Sequence, residues 1–277
     1  MKNPPPVPST KEPPKLSIIT PVFNSEKFIS GCIENVMSAL PLPIEHIIID
    51  GQSQDATASI IKAYAEKNPH IHWISEKDQG QSDAMNKGIA LAQAEIIGFL
   101  NADDFYEDGA LKSIIQHINS IDKKVQTPLW IANCHIVGNG DQRIGVNIPT
   151  ARNIYQLIAG YDSPYNASAY FYHKNIHKII GGYALEDHYT MDLEFLLRAY
   201  AITQPQYVPE TWGNFRFIEG TKTFEDQQRK ASQGRCDALR HAAYQKLSWL
   251  EKSITKCYRV KKYTDRTIEK IKNKLLK

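Results

Sequence analysis

The first hundred residues alternate between two hydrophobic periods. "LSIITPVFN" is a near-continuous apolar run of strand length that ends at Pro21. "SEKFISGCIENVMSAL" then changes to helical spacing, with Phe28, Ile29, Cys32, Ile33 and Val36 on one face and Ser25 in the capping position. The exchange repeats. "IEHIIID" predicts a strand, and "GQSQDATASIIKAYAEK" a Ser/Asp-rich turn feeding a helix. "HIHWISE" predicts a third strand, "SDAMNKGIALAQA" a third helix and "EIIGFLNA" a fourth strand. Strands joined by helices of this length predict right-handed crossovers and an α/β fold with a mostly parallel, Rossmann-like sheet flanked by helices.

From about residue 126 the pattern changes. "TPLWIANCHIVGNGDQRIGV" predicts two antiparallel strands with Gly-rich turns, the start of a smaller mixed sheet. "ASAYFYHKNIHKIIGGY" predicts a strand, a helix and a Gly stop, and "TMDLEFLLRAYAI" an amphipathic helix with Asp192 near its start. Beyond about Glu225 the chain reads as helical, polar and basic. Leu247, Leu250, Ile254 and Cys257 recur at helical spacing there, as do Ile268, Ile271 and Leu275.

Composition adds limits. With 277 residues and 42% hydrophobic content, the chain is long enough to bury a sizeable core. "MKNPPPVPSTKEPPK" at the start is Pro-rich and lacks the apolar stretch of a signal peptide, so it reads as a flexible tail. No apolar run approaches the roughly 18 residues that span a bilayer. Cys32, Cys134, Cys236 and Cys257 show neither CxxC pairing nor zinc-finger spacing, which points to a reduced, cytoplasmic compartment. His117, His135, His173 and His188 lack metal-ligand spacing and read as ordinary polar or core residues. The formal charge of +3 conceals an asymmetry: residues 229–277 hold 15 Lys/Arg against 4 Asp/Glu, net +11, which leaves −8 for the rest. A basic tail on an acidic body suits an anionic surface, and equally a solvated helical face.

In a parallel sheet, ligands bind beyond the carboxyl ends of the strands. Thr20-Pro21, Asp50-Gly51, Glu76-Lys77-Asp78 and Asn101-Asp103-Asp104 all follow such ends and should gather along one edge. Carboxylates collected there raise one another's pKa unless a cation compensates them. Hard oxygen ligands with open positions suit Mg²⁺ or Mn²⁺ held jointly by the protein and a phosphorylated substrate.

The segments "SIITPVFN", "IEHIIIDGQSQDAT", "SEKDQGQSDAMNKGIALAQAEIIGFLNADD" and "GGYALEDHYTMDLEFLLRAY", in that order, resemble the family-2 glycosyltransferases of GT-A fold, in particular those that build bacterial surface polysaccharides. The resemblance spans roughly residues 16–216. It implies a catalytic domain over 16–225, with a nucleotide-sugar half (16–125) and an acceptor half (126–225). The Pro-rich tail (1–15) and a basic amphipathic helical tail (226–277) fall outside it. The activity implied is inverting, metal-dependent transfer of a hexose-type sugar from a nucleotide-diphosphate sugar, with a UDP-sugar favoured, to a glycan or lipid-linked acceptor.

The resemblance also implies roles for individual residues. Asn101, Ala102 and Asp103 occupy the family's DXD position, which makes Asp103 the metal ligand and Asn101 a ribose contact without charge. Asp104 is either a further ligand or a cap for the next helix. Pro21 and Phe23 would wall the base, and Asp50 would accept hydrogen bonds from base or ribose. Many members carry two adjacent Asp residues where this chain has Asp50-Gly51. Asp83 is implied as a sugar or ribose contact. Asn86 and Lys87 lie in the same nucleotide-sugar segment, with loop-ordering and solvated-charge roles as their alternatives. Asp192 aligns with the catalytic base, with Glu186 and Asp187 as competing candidates. Trp212 is either a stacking platform for an acceptor sugar or a core residue, and Arg216 would reach a phosphate.

Other classes fit less well. A sugar-phosphate nucleotidylyltransferase needs a basic Gly-rich loop that "TPVFNSEKF" lacks, and a dinucleotide-binding dehydrogenase needs a GxGxxG after strand one. A non-catalytic nucleotide- or sugar-binding scaffold at the membrane is the alternative outside enzymes. The expected partners are donor, acceptor and an anionic inner-leaflet surface met through residues 229–277. Packing of the tail on the catalytic domain, or self-association through it, are the alternatives there. Nucleic acid is not expected, since no recognition motif accompanies the charge.

Overall fold

The computed structural model describes residues 13–122, 124–186, 189–229 and 231–275. The strands are β1 (Leu16–Val22), β2 (Ile44–Asp50), β3 (Ile71–Ser75), β4 (Ile96–Phe99), β5 (Phe105–Tyr106), β6 (Leu129–Val137), β7 (Arg143–Asn147), β8 (Tyr170–His173) and β9 (Gln206–Arg216). The helices are α1 (Ile29–Met37), α2 (Thr57–Ala65), α3 (Gln81–Leu91), α4 (Ala110–Ser120), α5 (Ile154–Ile158), α6 (Asn175–Ile180), α7 (Met191–Ile202), α8 (Lys222–Arg229), α9 (Ala231–Gln245) and α10 (Trp249–Leu275).

One sheet runs through the molecule in the order β3-β2-β1-β4-β8-β6-β9-β5, with β7 paired to β6. Its first four strands are mutually parallel, which requires the crossover helices read from the sequence. Beyond β4 the pairing becomes mixed: β8 is antiparallel to β4 and β6, whereas β9 is parallel to β6. The smaller mixed sheet expected of the second half is therefore a direct continuation of the first.

Layers cover both sheet faces, so all seven residues of β1 and of β2 are buried. The pleat sorts them. Ile19, Ile47, Ile97 and Phe99 join one core with α3 and α7, while Leu16, Ile18, Ile44 and Ile96 join the core on the opposite face with α1 and α4.

Two local expectations change. β1 continues through Pro21 to Val22, so Pro21 is a buried strand residue paired with Ile49 and does not end the strand. Ser25 does not cap α1: Phe28 holds that position, and the Ser25 hydroxyl donates to the Phe23 carbonyl. The 225/226 boundary falls inside α8, and of the alternatives for the basic tail the described residues show packing on the domain. Cys236, Leu239, Ala243 and Tyr244 of α9, and Leu247 just beyond it, pack on the central core.

Candidate active site

The parallel register places Val22, Asp50 and Ser75 side by side at the carboxyl ends of β1, β2 and β3, with the loop after β4 alongside. The strand-end segments thus share one edge. Asp50 is fully buried and accepts from the Ser53 amide at 3.2 Å and from the Ser53 and Ser75 hydroxyls at 2.5 Å. Pro21 is buried beside it, while Phe23 is exposed.

Gly51 is explained by Asp78. A Cβ at Gly51 would lie 2.5 Å from an Asp78 carboxylate oxygen, and Asp78 is held there by the Gly80 amide at 2.9 Å. Asp78, from the β3–α3 loop, thus occupies the space into which a side chain at position 51 would project. Sequence spacing gave no reason to single out Asp78 over its neighbours, because the approach spans 27 residues of chain.

The Asp pair after β4 divides sharply. Asp104 is 1% exposed and accepts from the side-chain amides of Asn101 (2.9 Å) and Asn166 (2.8 Å) and from the backbone of Arg216 (3.0 Å). It ties the β4 loop to β9. It caps no helix, since α4 starts at Ala110 behind Gly109. Burial and the charge of Asp103 push its carboxyl up, and its three N–H donors oppose them. Asp103 is half-buried, and among the described residues its carboxylate receives no hydrogen bond from another residue. Burial pushes its carboxyl up as well, against the attraction of Arg216.

Among the described residues no group of three or more His, Cys, Asp or Glu could hold a metal ion. Asp103 is one carboxylate with open coordination and a raised pKa. It fits a hard cation whose other ligands are phosphate oxygens or water, and does not fit an all-protein cage. Asn101 is committed to Asp104 and to Gln81, whose side-chain amide donates to it at 3.0 Å.

Arg216 donates to the main-chain oxygen of Asp103 at 2.7 Å and forms a two-pronged pair with Asp141 at 2.7 and 3.0 Å. Asp141 lies in the β6–β7 turn, 75 residues away, and no local signal couples the two. Asp83 accepts from the Gln79 amide and pairs with Lys87 at 3.4 Å, and Lys87 also reaches Glu76 at 2.9 Å. Asn86 is bound on both sides to the Tyr183 backbone, at 2.8 and 2.9 Å. That double clip ties α3 to the segment before α7. Trp212 is fully buried against Phe171, so it is a core residue and unavailable for stacking on a sugar.

Asp192 lies in the first turn of α7, and the Tyr170 hydroxyl donates to it at 2.6 Å. The amino end of α3 joins this helix to the β4 loop: Gln81 reaches Asn101, and the Ser82 hydroxyl donates to the Met191 sulfur at 3.1 Å. Glu186 is exposed, and Asp187 and His188 lie outside the described residues.

A parallel edge carrying these carboxylates, continued by a mixed half that presents an acidic helix turn, defines a GT-A-type glycosyltransferase fold. The family model "Glycosyl transferase family 2" matches residues 17–168, and the chain belongs to that family. An uncharacterised glycosyltransferase of Mycobacterium tuberculosis is 31% identical over 199 residues, 69% of this chain and 71% of that protein. Matches to two other curated glycosyltransferases, from Escherichia coli and Bacillus subtilis, span only 26% and 28% of their lengths. Among solved structures, Staphylococcus aureus TarS 1–349 in complex with UDP-GlcNAc aligns with a TM-score of 0.57 at 18% identity, over 75% of this chain and 60% of that one. The mannosyltransferase PcManGT of Pyrobaculum calidifontis, in complex with GDP-Man and Mn²⁺, aligns with a TM-score of 0.54 at 14% identity, over 88% and 79%. At such identities the two structures speak for the fold alone.

Proposed function

We propose that the chain transfers a sugar from a nucleotide-diphosphate sugar to an acceptor hydroxyl with inversion, assisted by Mn²⁺ or Mg²⁺. The observation that carries this reading is the junction at the start of α3, where adjacent residues Gln81 and Ser82 hold the Asn101–Asp103 loop and the Asp192 turn to one point of the fold. A donor diphosphate lying against Asp103 would present its anomeric carbon towards Asp192.

In this reading Pro21, Phe23, Asp50 and Asp78 receive the nucleoside, Asn101 the ribose, and Asp83 the sugar or ribose. Asp103 is, among the described residues, the carboxylate for the cation, and Arg216 turns from Asp141 to a phosphate. A divalent cation bound there would supply Lewis-acid stabilisation of the departing diphosphate. The acceptor oxygen attacks the anomeric carbon, the bond to the diphosphate breaks on the opposite side, and the acceptor proton passes to Asp192. The nucleotide sugars bound by the two structural neighbours support the donor class, and UDP remains the favoured nucleotide.

Polysaccharide biosynthesis at the inner leaflet is the proposed setting, and the form of α10 supports it. One face docks on the domain: Glu251 accepts from Tyr155, Tyr258 bonds Asn153 and Tyr161, and Lys262 donates to Gly160. Trp249, Leu250, Val260 and Tyr263 are 82, 62, 67 and 76% exposed. Trp249 and Val260 are three turns apart on one side. The helix also carries nine Lys/Arg against three Asp/Glu. Exposed apolar residues among basic ones suit an anionic lipid surface. None of the described helices is long and apolar enough to cross a membrane.

A panel of nucleotide sugars scored by thermal stabilisation with and without Mn²⁺ tests the donor reading, because a ligand of the folded state raises the melting temperature. Mn²⁺-dependent stabilisation by one nucleotide class is expected. No response to any nucleotide diphosphate or its sugars would contradict it.

A further inference from the structure

Beneath Asp192 lies a buried chain of hydroxyls with no role in the mechanism above. Tyr170 donates to Asp192 at 2.6 Å, Tyr170 and Tyr183 meet at 3.3 Å, Tyr183 and Tyr172 at 3.3 Å, and Tyr172 meets Nε2 of His177 at 2.7 Å. The three tyrosines are buried, whereas His177 is partly exposed, so the chain leads from the proposed base towards solvent. The Phe195 ring stacks on Tyr170 and Tyr183 and lies tilted against Tyr172, and Phe99 meets Tyr183 edge-on.

The hydrogen-bond directions can be assigned from the ends inward. Nδ1 of His177 faces the Gly181 carbonyl at 2.9 Å, and a carbonyl only accepts, so Nδ1 carries a proton. In the neutral ring Nε2 is then the acceptor, and Tyr172 donates to it. At the other end the Asp192 carboxylate accepts from Tyr170. Four links therefore share three hydroxyl protons, and Tyr183 can serve only one of its two neighbours. The chain is one proton short, which accounts for the two long central contacts.

We propose that Tyr170, Tyr183, Tyr172 and His177 carry away the proton that Asp192 takes from the acceptor. This inference rests on Asp192 being the base. Protonated Asp192 donates to the Tyr170 oxygen, and the Tyr170 proton moves to Tyr183. The Tyr183 proton moves to Tyr172, and the Tyr172 proton moves to Nε2 of His177. Each oxygen gains one proton and loses one, so no phenolate forms. Asp192 returns to carboxylate, and all four links are then filled. The resulting imidazolium yields its proton to solvent. Burial holds the His177 pKa below its ordinary value, Arg198 adds to this, and the Gly181 carbonyl opposes it, so the proton leaves readily near neutrality. Around His177 stand Tyr172 from β8, Tyr183, and Phe195 and Arg198 from α7. Arg198 is itself paired with Glu194 and bonded to the carbonyls of Ile180 and Gly182.

The test is ¹⁵N NMR of histidine side chains in the full-length protein, with the His177 signals assigned by their loss in His177→Gln. At neutral pH wild-type His177 should carry its proton on Nδ1. Tyr170→Phe, which removes a hydroxyl not in contact with His177, should lower the His177 midpoint by at least ~0.3 pH unit, since the cut chain no longer links the imidazolium to a carboxylate. Tyr183→Phe should lower it likewise. Melting temperatures check that each variant folds. A proton on Nε2 in the wild-type protein would overturn the relay without any variant, as would midpoints in folded Tyr→Phe variants that superimpose on wild type. Activity separates the two claims: full activity in Asp192→Asn removes the base itself, whereas its loss alongside unmoved His177 midpoints removes only the relay.

Discussion

Tyr170 and Asp192 are 22 residues apart, on β8 and α7, and their side chains meet at 2.6 Å with the phenol as donor. Burial and the nearby Asp192 carboxylate hold the Tyr170 phenol well above its ordinary pKa, so it stays a donor and its partner an acceptor. A carboxylate fixed in this way is oriented before any substrate arrives. The consequences for the rest of the site can be measured residue by residue.

Asp103→Asn should leave the fold intact and remove Mn²⁺-dependent binding of a nucleotide diphosphate, because no other described carboxylate in the β4 loop is open. Calorimetry with UDP and Mn²⁺ reads this directly. Affinity equal to wild type would take Asp103 out of the cation site.

Gly51→Asp should destabilise the protein by about 1–3 kcal/mol, since its Cβ would meet the Asp78 carboxylate. Adding Asp78→Gly should recover most of the loss by moving the charge from one loop to the other. Urea midpoints for the two variants check the compensation. Equal stability of Gly51→Asp and wild type would show that Asp78 yields freely.

Much of this was legible in sequence, and the limits have a physical pattern. Period and length identified β1 to β4 and their helices, because a strand buried on both faces and an amphipathic helix leave different local marks. The edge that gathers Asp50, Asn101 and Asp103 followed from parallel topology alone. Asp192 could be placed on the first turn of a helix. Pairs made by distant segments were not legible: Asp141 with Arg216, Asn166 with Asp104, Tyr170 with Asp192, and Asp78 over Gly51. Trp212 and Asp104 were ambiguous for the same reason, since β9 and Asn166 decide their surroundings.

His46 predicts a pH dependence of stability. It is fully buried, bonded to Thr20 at 2.8 Å, and burial pushes its pKa down to about 3 from an ordinary 6.5. The lowered pKa means stability is fully present above 6.5 and is lost as pH falls towards 3, since only the unfolded chain takes the proton. Denaturation midpoints should decline between pH 6.5 and 4, and His46→Gln should flatten that decline. An unchanged slope in the variant would assign the acid sensitivity to other groups.

The outer face of α10 should bind anionic vesicles at low salt and release them as salt rises. Co-sedimentation with phosphatidylglycerol vesicles should succeed, and phosphatidylcholine vesicles should fail. Trp249→Glu with Val260→Glu should abolish binding without moving the melting temperature, because both side chains are exposed. Wild-type protein left in the supernatant with anionic vesicles would refute the membrane reading.

The role of Asp192 is the central claim, and turnover in Asp192→Asn tests it most directly. With the donor identified by the nucleotide-sugar panel, kcat should fall by at least ~10²-fold while donor KM stays near wild type, since a general base acts in the transition state and not in donor binding. Wild-type kcat in Asp192→Asn would contradict the account.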